Sequence, residues 1–157
     1  MGAVKRFEEL RVWQAARELV KQIYEVSKVK GLDRDFGLRD EIRRAAGSVM
    51  HNIAEGFDAG SDGNFLQFLG YARRSASEVQ SQLYAALDQE YISKKQFDEA
   101  YGQTTKVKQQ LNGLIGYLAQ SKSKTIKEEY ALYGIDLEQI SLDLPDDYLD
   151  GFDQSDD

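Results

Sequence analysis

Side chains able to do chemistry are few in this sequence and thinly spread. There is one histidine, His51, and no cysteine. A Cys–His nucleophile pair, a thiolate metal site and a multi-histidine metal site are all ruled out, because each needs at least two such groups converging on one atom. The glycines are scattered, and none falls into a phosphate-cradling loop of the P-loop or dinucleotide type. One polar constellation stands out. Glu41, Arg44, Ser48, Asn52 and Glu55 recur at steps of three and four, a stripe along one predicted helix with His51 at its edge. Read as chemistry, Glu41 and Glu55 would be a carboxylate pair for metal binding or acid–base work. Fourteen positions separate them, about 21 Å along a helix rising 1.5 Å per residue. Carboxylates that share a reacting atom lie within about 10 Å of each other. The stripe therefore reads as a polar seam between helices or between subunits, with Arg44 paired to a carboxylate such as Glu78, since an isolated buried cation is too costly. No catalytic residue, metal ligand, cofactor or small-molecule substrate is expected.

Basic residues offer a second kind of site. Arg43, Arg44, Arg73, Arg74, Lys94, Lys95, Lys106 and Lys108 would line a phosphate-binding surface, with Tyr71, Tyr91 and Tyr101 beside some of them in the chain, as a single-strand binder would use. Against this stands the charge distribution. The net charge of −7 divides unevenly: from Thr125 onward eleven acidic residues face the single base Lys127, giving −10, which leaves +3 for residues 1–124. That surplus is modest for a dedicated nucleic-acid domain. Solvated helix faces account for most of these lysines.

The elements that must position these residues are helical. A chain of 157 residues with one proline, Pro145, favours a single domain rich in helix. No apolar stretch approaches the roughly 20 residues that span a bilayer, nor is there a signal-peptide core. A cytoplasmic location with no membrane partner is the expectation. The first helix runs from about Phe7 to Lys28, with Leu10, Trp13, Ala16, Leu19, Val20, Ile23 and Tyr24 spread over an apolar arc of about 200°, wider than one bundle seam needs. The width points to a second contact surface on a neighbouring subunit through Trp13 and Tyr24; alternatively these two cap the bundle's edge. A second helix covers about Leu38 to Glu55, with Gly56 as its C-terminal cap and a turn over Phe57 to Gly63. Two strict heptad series follow. Phe65, Leu69, Ala72, Ala76, Val79, Leu83 and Ala86 form one; Phe97, Ala100, Thr104, Val107, Leu111, Leu114 and Leu118 form the other. Period 3.5 marks left-handed, coiled-coil-like packing. Ser93 with Gln96 reads as a capping box opening the fourth helix. The fold expected is all-α, an antiparallel up-down four-helix bundle over residues 1–121 with an acidic C-terminal extension over 122–157.

Several blocks resemble one family. Phe7-Glu8-Glu9-Leu10-Arg11-Val12-Trp13, Ile42-Arg43-Arg44-Ala45-Ala46, Ser48-Val49 and above all Asn52-Ile53-Ala54-Glu55-Gly56-Phe57 are similar to the bacterial four-helix-bundle proteins encoded by intervening sequences in large-subunit ribosomal RNA genes. Phe68-Leu69, Ala72, Ser75, Glu78 and Gln82-Leu83 continue in register. That family includes the accessory variability proteins of diversity-generating retroelements. The resemblance covers about residues 7–120. It implies an up-down bundle assembled as a homopentameric barrel and no enzymatic activity; the retroelement relatives bind a reverse transcriptase and RNA through basic surfaces, whereas most intervening-sequence relatives have no established role. Arg43, Arg44, Asn52, Glu55, Gly56 and Glu78 fall on motif positions and take structural or interface roles by this resemblance. Two departures stand out: Arg73-Arg74 precede Ser75 where the family has a small residue, and the acidic tail has no counterpart.

Three readings result. The first is a non-enzymatic oligomeric scaffold or adaptor for a macromolecular partner such as an RNA or reverse-transcriptase complex. The second is direct nucleic-acid binding through Arg73, Arg74 and the lysines of the fourth helix. The third makes the acidic tail itself the docking element.

Overall fold

A computed structural model describes residues 4–120 as four helices preceded by a short 3-10 turn, Phe7–Glu9. These are α1 (Arg11–Val26), α2 (Phe36–Asp58), α3 (Asp62–Asp88) and α4 (Lys94–Gln120). There is no strand among the described residues. The acidic extension expected over 122–157 lies outside them.

Both heptad series are core. Every residue of the two series is buried, from Phe65 to Ala86 on α3 and from Phe97 to Leu118 on α4. The one polar member, Thr104, satisfies its hydroxyl by donating to the Ala100 carbonyl at 2.7 Å, which removes the cost of burying it. Side-chain contacts fix the packing direction. On α2 and α3, Arg44 meets Glu78 while Ser48 meets Ser75. On α3 and α4, Gln80 meets Thr105 while Arg73 meets Asn112. In both pairs one partner number rises as the other falls, so the helices run antiparallel. Helix α1 closes the ring by packing on both α2 and α4, and Gln103 of α4 donates to the Ala15 carbonyl at 2.9 Å.

Several expectations need correcting. Most of the broad apolar arc of α1 is used within the chain: Val12, Trp13, Ala15, Ala16, Leu19 and Ile23 are buried, because α1 is wedged between two neighbours, while Tyr24 stays 44% exposed. Helix α2 is longer than expected at both ends. Gly56 does not cap it but lies inside it, buried, where a Cβ would stand 2.6 Å from Phe68 Cβ. The glycine therefore permits the close approach of α2 to α3, and the turn is confined to Ala59–Ser61.

Caps account for the starts. The Asp35 carboxylate accepts from Leu38 N–H at 3.2 Å to begin α2, and the Ser61 hydroxyl accepts from Asn64 N–H at 3.3 Å to begin α3. At α4 the expected capping box is present in full: Gln96 N–H donates to Ser93 Oγ at 3.1 Å, and Ser93 N–H donates to Gln96 Oε1 at 2.9 Å. Together these satisfy two of the otherwise orphaned N–H groups at the helix start.

Candidate functional site

The polar stripe of α2 divides among three surroundings. Arg44 Nη2 donates to Glu78 Oε1 at 2.8 Å, the partner expected. The pair is not buried, however, with side chains 64% and 41% exposed, so solvent screening leaves it worth at most about 1 kcal/mol. One turn along, the Ser48 and Ser75 hydroxyls lie 2.9 Å apart, and Asn52 Nδ2 donates back to Ser48 O and Oγ at 2.8 and 3.0 Å. Arg44, Ser48 and Asn52 thus form a seam between α2 and α3 of the same chain. Arg43 belongs elsewhere: it faces α1, where its Nε donates to Ser27 Oγ at 2.7 Å and its guanidinium lies 4.8 Å from the Tyr24 ring centroid. Glu41, His51 and Glu55 are exposed and do not converge. Among the described residues no group of three or more His, Asp or Glu side chains is placed to hold a metal.

The two residues expected at a subunit contact separate. Trp13 is 8% exposed, its ring set edge-on to Phe7 at 5.1 Å; it closes the end of the bundle, the alternative reading. Tyr24 is 44% exposed and keeps an outward face.

The basic residues separate as well. Lys94 and Lys95 pair with Asp98 and Glu99 one turn ahead, as ordinary solvated-face ion pairs do. Lys106 is exposed. Arg74, neighbour to Arg73 in sequence, points some 100° away and lies 5.7 Å from the Tyr71 ring centroid, on the outer face of α3. Arg73 and Lys108 come together in the groove between α3 and α4. Arg73 Nε donates to Asn112 Oδ1 at 2.8 Å, and Lys108 Nζ donates to Gln80 Oε1 at 3.2 Å. Gln80 Nε2 in turn donates to Thr105 Oγ1 at 3.0 Å. Every partner of these two cations is a neutral amide, and neither has a carboxylate among the described residues. Burial lowers the pKa of Arg73. Burial, and then the nearby Arg73 charge, lowers that of Lys108. Two partly desolvated like charges in one groove, near enough for one to lower the pKa of the other, are electrostatically unfavourable, and an anion bound at them relieves that.

Sequence reasoning missed two features. Tyr91, grouped with aromatics that stack on bases, is a structural latch. Its hydroxyl donates to Asp35 Oδ2 at 3.2 Å, and its ring lies where a Cβ on Gly31 would approach within 2.7 Å. Tyr84 was not singled out at all, although it is half exposed and packs on Phe97 and Tyr101 with centroids at 4.9 and 5.7 Å. Its position opposite Tyr101 on the α3–α4 hairpin was the available signal.

The family model described as 23S rRNA-intervening sequence protein matches residues 8–113, from the opening 3-10 turn through most of α4. No curated protein matches the chain.

Proposed function

The chain belongs to the 23S rRNA-intervening sequence protein family, and from that premise we propose that it is a non-enzymatic binding module that contacts RNA directly along the α3–α4 hairpin. The observation carrying this reading is the Arg73–Lys108 pair, two cations brought together on neutral partners with no carboxylate among the described residues. Helix packing does not require such a pair. A carboxylate at position 80 or 112 would have stabilised it, and amides occupy both places. Phosphate is the anion whose oxygens a guanidinium fork and an ammonium jointly suit. Binding of RNA to the wild type and to an Arg73→Gln/Lys108→Gln variant, measured across a salt series, tests the reading. Loss of the one phosphate that the pair holds jointly flattens the slope of log K against log salt by about 0.7–0.9 in the double variant. No binding at low salt by the full chain or by residues 1–124 overturns it.

A second reading, the homo-oligomeric scaffold, draws on the opposite side of the molecule. Tyr24 and Phe36 are 44% and 62% exposed, and each has an arginine over its ring, Arg43 and Arg39 at 4.8 Å. Exposed aromatic–arginine stacks are the residue types that anchor interfaces. A native mass of one chain at micromolar concentration removes this reading; a mass of five chains matches the barrel implied by the family resemblance.

A further inference from the structure

We infer that the α3–α4 groove is a two-point site for an unpaired RNA strand, with Tyr84, braced edge-on by Tyr101, stacking a base and Arg73 with Lys108 holding a phosphate further along. The inference rests on the RNA reading above and narrows it to single strands. Three observations carry it. First, the aromatic end is rigid and open at once. Phe97 is buried and stacks on Tyr101 at 5.2 Å with an interplanar angle of 27°, while Tyr84 leans on both rings and leaves half its surface to solvent. An exposed tyrosine braced in this way is already ordered, so stacking a base on it costs little further side-chain entropy.

Second, the groove floor between its two ends is polar, with the Lys108 ammonium seated on Gln80. The floor between the tyrosines and Arg73 is formed by Gln80 and Thr105, hydrogen-bonded to each other. At the aromatic end Asp98 is paired with Lys94, and Asp88 closes α3 one turn beyond Tyr84, on the side away from Arg73. Third, the order along the groove suits a strand. Lys108 meets α3 at Gln80, one turn from Tyr84, and Arg73 lies eleven residues from Tyr84, about 16 Å along the helix. Among the described residues Asn112 takes only the Arg73 Nε, and the terminal nitrogens have no partner there. In a duplex the base faces are hidden inside the stack, so the aromatic end is useless to it; an unpaired base presents its face to Tyr84.

The test is fluorescence anisotropy on the full chain at low salt, with a labelled oligoadenylate of about 12 nucleotides and a duplex RNA of the same length. The single strand is expected to bind more tightly than the duplex. Tyr84→Ala should weaken the single strand about tenfold, leave its salt slope unchanged and leave the duplex as it was, while Tyr84→Phe retains wild-type binding. Arg73→Gln with Lys108→Gln should flatten the single-strand slope by about 0.7. Because Tyr84 is half exposed, its truncation leaves the core intact, which circular dichroism verifies. Equal binding of strand and duplex, or indifference of the single strand to Tyr84→Ala, overturns the two-point site while the RNA reading stands. Failure of both RNAs to bind overturns the two together.

Discussion

Only a hydrogen fits at position 56. A Cβ there would meet Phe68 Cβ at 2.6 Å and Phe65 Cδ2 at 3.0 Å, and neither atom is the free end of a flexible side chain. Gly56→Ala gains about 1 kcal/mol of helix propensity and loses about 1–3 kcal/mol to overpacking. Stability should therefore fall, by roughly 1 kcal/mol net on those figures, read as a lower urea midpoint with unchanged slope. From sequence the same glycine looks like a helix terminator, since glycine both ends helices and lets them approach closely, and only the facing helix tells which. A second residue-scale prediction concerns Tyr91. Desolvation, followed by the Asp35 hydrogen bond and charge, raises its phenol above the ordinary value of 10.0. A raised value means the fold prefers the neutral phenol. Its contribution is therefore complete below about pH 10 and is lost as pH rises through the higher folded value. Tyr91→Phe should accordingly be less stable than wild type at pH 8, with the difference shrinking in denaturation series above pH 10; a constant difference would show that the phenol proton has no part in the latch.

At the scale of elements, periodicity was the readable quantity and breadth was the misleading one. The α3 and α4 heptads were legible because each helix contributes one narrow seam, and a seam has a fixed repeat. The polar seam of α2 was legible in part, down to the pairing of Arg44 with Glu78, but adjacent positions on a helix point 100° apart and send Arg43 to a different neighbour. The wide face of α1 suggested a partner subunit, whereas a helix packed on two neighbours also needs a wide face. The α3–α4 connection carries its own test. Glu90 adopts φ 59°, and Tyr91 N–H reaches back to the Ala86 carbonyl at 3.0 Å, the closing bond of a left-handed helix end that favours glycine. Left-handed backbone costs a side-chain-bearing residue about 1–2 kcal/mol, partly offset by the greater unfolded-state freedom of glycine. Glu90→Gly is expected to stabilise the protein by up to about 1 kcal/mol, whereas Ser93→Ala, which breaks the adjacent capping box, should cost about 1 kcal/mol. Opposite shifts in thermal midpoint from two sites three residues apart would confirm that the hairpin's geometry, not its charge, sets its stability.

For the whole molecule the decisive asymmetry is electrical. Residues 1–124 carry +3 and residues 125–157 carry −10, so a polyanion approaching the α3–α4 groove meets a net repulsive chain even though the groove itself is cationic. Repulsion of this kind acts through solvent over about 10 Å at 0.1 M salt, and it weakens as salt rises, while the direct phosphate contacts weaken too. The two effects oppose each other in the full chain and separate on truncation. A chain ending at residue 124 should bind RNA more tightly than the full chain at low salt, and the advantage should shrink as ionic strength increases. Its slope of log K against log salt should be steeper, because release of counterions is no longer offset by relief of repulsion. Equal affinities at low salt would mean that the acidic segment does not influence the groove. The charge dependence of RNA affinity would then lie in the folded body, and the Arg73→Gln/Lys108→Gln variant would remain the direct test of the cation pair.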